Sequence, residues 1–184
     1  MLEASAAAVS RGPAGVLPAA RARILAFGAL LVVASAAFAP CVRNGFILDD
    51  VYMVDGNPTL RSLANVPALF VSVPPGAIAR NYYRPATLSA YALDYALFGP
   101  GAWGLHAMNI VWHVVAALLV WMLLQQLGAS RLAASMAALL FTVHPVQGET
   151  VYLINGRAGS TAAVWFFLGL SMYLGRRERA WSWP

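Results

Sequence analysis

The sequence predicts an all-α membrane protein, a polytopic helical bundle with about four transmembrane helices and a helical extracytoplasmic first loop. Composition is the first reason, because 10% of the residues are charged and the mean hydropathy is +0.67, whereas roughly 25% are charged in soluble domains. The second reason is four apolar runs that approach the length of a bilayer crossing, roughly 20 helical residues. The third is the placement of the twelve basic residues, all Arg, around these runs.

Residues 1–23 are predicted to be a disordered cytoplasmic tail, and the first span follows at 24–40. A cleavable signal peptide is the rival interpretation, because "AFA" at 37–39 resembles a cleavage site. The later spans favour a retained helix. Residues 41–104 then form a long outer loop, in which 85–99 predicts a short helix that begins at Pro and ends at Gly. Its Tyr and Phe residues are expected to anchor it along the membrane interface.

Three further spans are predicted at 105–128, 132–154 and 160–175, before a cytoplasmic tail at 176–184. Pro145 and Gly148 indicate a break within the third span. With both termini in the cytoplasm, seven Arg lie on the cytoplasmic side and five on the outer side, in agreement with the positive-inside rule. The outer loop and the loop that carries Glu149 and Arg157 therefore share the non-cytoplasmic face.

Three carboxylates, Asp49, Asp50 and Asp55, fall within seven positions just after the first span. A charged Asp at mid-membrane costs about 2.5–3.5 kcal/mol, so the adjacent pair should lie at or beyond the interface. Adjacent side chains point about 100° apart on a helix and to opposite faces on a strand. One of the two can therefore face a reaction centre while the other holds a hydrogen bond or a cation. The alternative is a solvated turn after a helix.

Arg84 lies between two tyrosines and a predicted helix start, in "NYYRP" at 81–85. A guanidinium beside helix N-terminal amides can bind phosphate. The alternative is an interfacial Arg that extends its charge to water within an aromatic belt.

Polar side chains also mark one face of the second predicted span and the end of the third. His106, Asn109 and His113 are spaced three and four residues apart, and such groups usually form hydrogen bonds between helices. A metal site is the weaker interpretation, because the two His lack i, i+4 spacing with a carboxylate. His144 and Glu149 lie where the third span leaves the membrane, and interfacial ionisable groups are functional candidates.

Five segments, in order, resemble one family of enzymes. They are "FILDD", "NYYRPATLSAYALDYALFG", "GLHAMNIVWHVVAALLV", "AALLFTVHPVQGETVYLINGRAG" and "SMYL". Together they resemble the N-terminal part of the transmembrane and tetratricopeptide-repeat O-mannosyltransferase family and its bacterial relatives, within the GT-C glycosyltransferase superfamily. The resemblance covers about residues 24–175.

The resemblance implies a glycosyltransferase that moves a sugar, mannose by the family name, from a polyprenyl-phosphate donor to a hydroxyl of a protein or glycan acceptor. Asp49 and Asp50 match the family's acidic motif and would be catalytic, one of them removing the acceptor proton. Positive charge for the departing phosphate would come from Arg84 and Arg157. Supporting roles fall to His144, Glu149, His106, Asn109 and His113. No cofactor is implied with certainty, and assistance by a divalent cation is left open.

The resemblance also implies a bacterial inner-membrane protein whose site faces the periplasm. Two features depart from the family, which has more spans and C-terminal repeats of about 34 residues. A fragment that is inactive alone is therefore one expectation. A non-catalytic membrane scaffold of the same fold is the alternative function, and a transporter subunit with midplane charges is a third. Scattered Arg residues argue against nucleic acid as a partner.

Overall fold

The structure, a computed structural model, describes residues 19–71 and 83–180. Residues 1–18 of the tail predicted at 1–23, two residues of "NYYRP" (81 and 82) and the last four residues lie outside the described residues. Residues 19–23 were predicted to be disordered and instead form the start of a helix. Seven α-helices are described: α1 (Ala19–Phe38), α2 (Val66–Leu69), α3 (Pro85–Phe98), α4 (Ala102–Gln126), α5 (Arg131–Val143), α6 (Gly148–Tyr152) and α7 (Arg157–Ala180). The described parts contain no strand, which confirms the predicted all-α class.

Three of these helices, α1, α4 and α7, are long and apolar enough to cross a membrane. The chain is therefore a multi-pass membrane protein. Each of the three overlaps a predicted span, although α4 begins three residues before position 105 and α7 begins three residues before position 160. The first helix likewise begins five residues before the span predicted at 24–40.

The third predicted span, 132–154, is not one continuous helix. Helix α5 is apolar but has 13 residues, about 20 Å at 1.5 Å per residue. It ends because Pro145 lacks an N–H and disfavours helical geometry at the residue before it, and His144 is extended (φ −63°, ψ 132°). A 3₁₀ turn, Pro145–Gln147, and the short α6 follow. The predicted break is confirmed, and continuation of one helix to residue 154 is corrected.

Helix α4 lies at the centre of the bundle and packs against α1, α5 and α7. Small side chains, among them Ala34, Ala117 and Ala138, are fully buried where the helices meet, and they let backbones approach closely. The predicted inward face of α4 is confirmed, since His106, Asn109 and His113 are all buried. His113 links α4 to α5, because its Nε2–H donates to the Thr142 carbonyl oxygen at 3.0 Å.

The outer loop folds as a series of short turns and helices that ends in α3. A second core joins Val54 and Leu60 of this loop to Tyr91 and Tyr95 of α3 and to Leu105 of α4. The structure corrects the prediction that the α3 tyrosines anchor it in the membrane interface, because Tyr91 is 1% and Tyr95 is 7% exposed. Helix α3 ends as predicted before residue 99, where a glycine adopts φ +78°.

Candidate functional site

A cavity of about 590 Å³ opens where the outer loop, the start of α3 and the segment between α5 and α7 meet. Four predicted site residues line it: Asp49, Asp50, Arg84 and Glu149. The rest of its wall comes from Ile47, Leu48, Thr150, Leu153, Asn155, Gly156, Ala158 and Gly159. The fold thus brings together ionisable groups that are about 100 residues apart in sequence.

The two adjacent aspartates have different environments. Asp49 is exposed and follows Leu48, which has the positive φ of +50° that is uncommon for residues other than glycine. Asp50 is 1% exposed. Its Oδ2 accepts a hydrogen bond from the backbone N–H of Ile154 at 3.1 Å, and its Oδ1 accepts one from Asn155 at 2.6 Å. As expected for neighbours on one chain, one carboxylate faces the cavity while the other is held by the fold.

Residues 153–157, here called the site turn, are held from three sides. Asp50 of the outer loop binds two of its N–H groups, and the Tyr91 hydroxyl of α3 donates to the Ile154 carbonyl oxygen at 2.6 Å. The Asn109 amide of α4 donates to the Leu153 carbonyl oxygen at 2.7 Å. A glycine is required at 156, because any Cβ there would collide with the backbone of Glu149. The cavity wall is therefore a fixed surface.

Arg157 does not take the predicted place in the cavity. Its side chain is fully buried, with Nε–H donating to Asn109 Oδ1 at 2.7 Å and Nη2–H donating to the Leu105 carbonyl oxygen at 2.6 Å. Nη1 forms an ion pair with Asp94, and the guanidinium lies 4.5 Å from the centre of the Tyr91 ring. A guanidinium that is fully buried, ion-paired and outside the cavity lining is not placed to bind a donor phosphate, so Arg157 is reassigned to holding α7 against α3 and α4.

Asp94 and Tyr91 were missed as candidates from the sequence. They lie on one face of α3, because residues three apart are neighbours on a helix, and Asp94 is the sole charged residue of that helix. This signal was available, since one carboxylate on an otherwise apolar helix requires a partner. Burial raises the pKa of the Asp94 carboxyl, and the charge of Arg157 opposes that rise.

The two remaining predicted histidines lie apart from the cavity lining. His144 is exposed, and its Nδ1 accepts a hydrogen bond from the Val146 N–H at 3.2 Å, which caps the turn after α5. His106 is buried, and neither ring nitrogen has a hydrogen-bond partner among the described residues. Within the same described part of the chain, no three His, Cys, Asp or Glu side chains are grouped to hold a metal ion.

Comparison with known proteins identifies relatives over most of this chain. Protein O-mannosyl-transferase F38B6.6 of Caenorhabditis elegans is 30% identical in an alignment of 161 residues that covers 81% of this chain and 23% of the relative. Protein O-mannosyl-transferase TMTC1 of Mus musculus is 31% identical in an alignment of 174 residues that covers 90% of this chain and 18% of the relative. Protein O-mannosyl-transferase Tmtc2 of Drosophila melanogaster is 33% identical in an alignment of 146 residues that covers 74% of this chain and 15% of the relative.

No family model matches the chain, and no solved structure matches it significantly. The chain spans about a fifth of the length of the curated relatives it matches. The similarity nevertheless includes between 74% and 90% of this chain in these three relatives. By this similarity, the chain matches the TMTC family of protein O-mannosyl-transferases.

Proposed function

We propose that the chain forms part of a membrane glycosyltransferase that moves a sugar from a polyprenyl-phosphate donor to a hydroxyl group of a protein acceptor. The names of the relatives support a transferase of mannose. The observation that carries the proposal is the exposed Asp49 carboxylate, which shares a cavity of about 590 Å³ with Arg84. The alternative of a non-catalytic scaffold is not favoured, since all the relatives above have enzyme names.

Asp49 is the proposed general base. An exposed carboxylate can accept the proton of an acceptor hydroxyl while that oxygen attacks the anomeric carbon, and such proton transfer contributes about 10²–10⁴-fold in rate. Asp50 is less accessible to an acceptor hydroxyl, because it is buried and both of its oxygens accept backbone hydrogen bonds at 3.1 Å and 2.6 Å. Asp50 is therefore proposed to position the site turn, and the catalytic assignment narrows from the pair to Asp49.

Arg84 is the proposed contact for the donor phosphate. It lines the same cavity as Asp49 and immediately precedes α3, whose N-terminus carries a partial positive charge that favours anions. The planar guanidinium matches two phosphate oxygens at once. Glu149, also exposed at the cavity, is proposed to bind sugar or acceptor hydroxyl groups.

The proposed orientation places the cavity outside the cytoplasm, in the periplasm if the membrane is a bacterial inner membrane. The uneven distribution of Arg supports it. The loop that carries Asp49 follows a helix long enough to cross the bilayer. A donor whose lipid is anchored in the outer leaflet would then present its phosphate on the same side of the membrane as Arg84.

The test is transfer of labelled mannose from polyprenyl phosphate, in membranes that express the protein from its complete gene. Asp49→Asn should reduce transfer by about 10²–10⁴-fold. Asp55→Asn is the matched control, because Asp55 is an exposed carboxylate of the same loop that pairs with Arg61 at 2.7 Å, and it should transfer normally. Arg84→Lys should retain more activity than Arg84→Ala, since Lys keeps the positive charge and loses only the planar group that binds two phosphate oxygens at once. Near-normal transfer by Asp49→Asn would refute the assignment of the base.

A further inference from the structure

A second polar cavity lies at the other end of α4. It has a volume of about 230 Å³ and is lined by Arg23 of α1, Gln125 and Gln126 of α4 and Arg131 of α5, with Trp121 beneath them. About 20 residues of α4 separate it from the Arg157 network at Leu105. At 1.5 Å per residue this is about 30 Å, the thickness of a bilayer's hydrocarbon core. The second cavity therefore lies at the opposite membrane surface.

Two positive charges meet in this cavity, and no described side chain that lines it supplies a counter-charge. Arg23 and Arg131 are both exposed, and the two ion pairs of the described residues involve other arginines, Arg61 and Arg157. Among the residues whose side chains the structure describes, the carboxylates lie in the outer loop, α3 and α6, and none lies on α1, α4 or α5, the helices that form this cavity. Because like charges repel, a cavity shared by two arginines from different helices favours an anion. Phosphate oxygens match the guanidinium fork best.

An apolar groove continues from the same tryptophan toward the middle of the membrane. This groove, about 80 Å³, runs between α1 and α5 and is lined mainly by small or aliphatic side chains, including Ala29, Leu30 and Ala138. Trp121 lines both the groove and the polar cavity. Its ring is fixed by a hydrogen bond from Nε1–H to Ser135 Oγ at 3.1 Å. A polar compartment with two cations thus leads directly into a narrow apolar one.

We propose that this composite groove binds one anionic phospholipid. Its phosphate lies between Arg23 and Arg131, amide groups of Gln125 and Gln126 contact the headgroup, and one acyl chain follows the groove past Ala29. Basic pockets between transmembrane helices on the cytoplasmic side are suited to anionic headgroups. The site is independent of the proposed transfer reaction, and it would fix α1 to α5 through a bound lipid.

The test uses the purified full chain in phosphatidylcholine vesicles that contain spin-labelled phosphatidylglycerol or spin-labelled phosphatidylcholine. The wild-type protein should immobilise phosphatidylglycerol in preference to phosphatidylcholine. The double variant Arg23→Gln/Arg131→Gln should reduce that preference about tenfold or more, because each Arg near the membrane surface strengthens the binding of anionic lipid. Arg176→Gln, at an exposed Arg of α7 outside both cavities, should keep it. An equal loss in the control would show a general surface charge effect and overturn the proposal.

The acyl chain is tested separately from the charge. Ala29→Phe should fill the apolar groove and weaken phosphatidylglycerol binding although both arginines remain. Val32→Phe is the control, because Val32 is 69% exposed on the same helix and does not line the groove. Inorganic phosphate at millimolar concentration should fail to displace the lipid. Displacement by phosphate together with full binding by Ala29→Phe would indicate a site for free phosphate and would refute a lipid site.

Discussion

The carboxylate of Asp50 accepts a 2.6 Å hydrogen bond from the backbone N–H of Asn155, which lies 105 residues further along the chain. This bond joins the outer loop to the site turn. It also explains why two adjacent aspartates have separate roles, since the Asp50 carboxylate is buried against the site turn while that of Asp49 is exposed at the cavity.

Asp50→Asn is expected to destabilise the fold. The amide keeps one oxygen, but its NH₂ group would face a backbone N–H, and a buried donor without a partner costs about 1–3 kcal/mol. Cys41 provides the measurement, because it is the sole cysteine and is fully buried. A thiol-reactive fluorophore should label the variant at a lower temperature than the wild type. Asp49→Asn, at the exposed neighbour, should label like the wild type, and equal destabilisation of both variants would contradict the division of roles.

Breaking the Asp94–Arg157 ion pair is expected to destabilise the fold far more than breaking the exposed pair Arg61–Asp55. Both members of the first pair are buried, so removing one partner leaves an uncompensated charge at a cost of about 3–5 kcal/mol. An exposed pair contributes about 0–1 kcal/mol. In the same Cys41 labelling assay, the Asp94→Asn variant should therefore become labelled at a much lower temperature than the Asp55→Asn variant.

A double-variant cycle separates the pair from its surroundings. Asp94→Asn and Arg157→Gln together should cost less than the sum of the two single changes, because each single change leaves the other charge buried. Strict additivity would mean that the two residues act through different partners.

Tyr91 and Tyr95 form a matched pair for the role of one hydroxyl group. Tyr91→Phe removes the hydrogen bond to Ile154 and should cost about 0.5–1.5 kcal/mol. Tyr95→Phe removes a buried hydroxyl that has no partner among the described residues, and it keeps the ring that Arg61 covers at 4.0 Å. It should be neutral or stabilising. Thermal labelling of Cys41 compares the two, and a larger loss in Tyr95→Phe would be the contrary result.

Tyr95→Phe also tests how the stability of the fold depends on pH. Burial raises the pKa of Tyr95 to about 12, whereas an unfolded tyrosine titrates near pH 10. Between about pH 10 and 12 the unfolded state has released a proton that the folded state still holds, so stability falls as the pH rises. Tyr95→Phe should make this fall shallower, which labelling across the alkaline range measures. Below about pH 10 the two proteins should show the same pH dependence.

The orientation predicts which engineered cysteines a membrane-impermeant maleimide reaches from outside the cell. Ala64→Cys lies at an exposed position of the outer loop and should be labelled in intact cells. Leu127→Cys is 61% exposed at the other end of α4 and should be labelled only after permeabilisation. The native Cys41 is buried and serves as the unlabelled background. The reverse pattern would invert the topology and place the Asp49 cavity in the cytoplasm.

Much of the fold could be predicted from local patterns. Apolar length predicted α1, α4 and α7, Pro145 predicted the break after α5, and the spacing of His106, Asn109 and His113 predicted the buried face of α4. The role of Arg157 could not be predicted in this way. Its partner Asp94 is 63 residues away, and only the packing of α3 onto α4 and α7 decides whether that guanidinium faces the cavity or the interior.

The separate environments of Asp49 and Asp50 were only half accessible from the sequence. Helix and strand geometry require neighbours to diverge, but they do not say which neighbour points inward. That choice depends on the site turn, whose N–H groups lie beside Asp50, and on the positive φ of Leu48. Both are properties of the tertiary structure.

The shortness of α5 has a consequence for the membrane itself. Its side chains Leu132, Met136 and Leu140 are exposed on one face, and they present lipid with an apolar length of only about 20 Å, against a hydrocarbon core of about 30 Å. Hydrophobic mismatch of this size is relieved by local thinning of the bilayer. Lipids along α5 should therefore be compressed, which would bring the headgroup layer closer to the segment that carries Glu149, a residue at the edge of the Asp49 cavity.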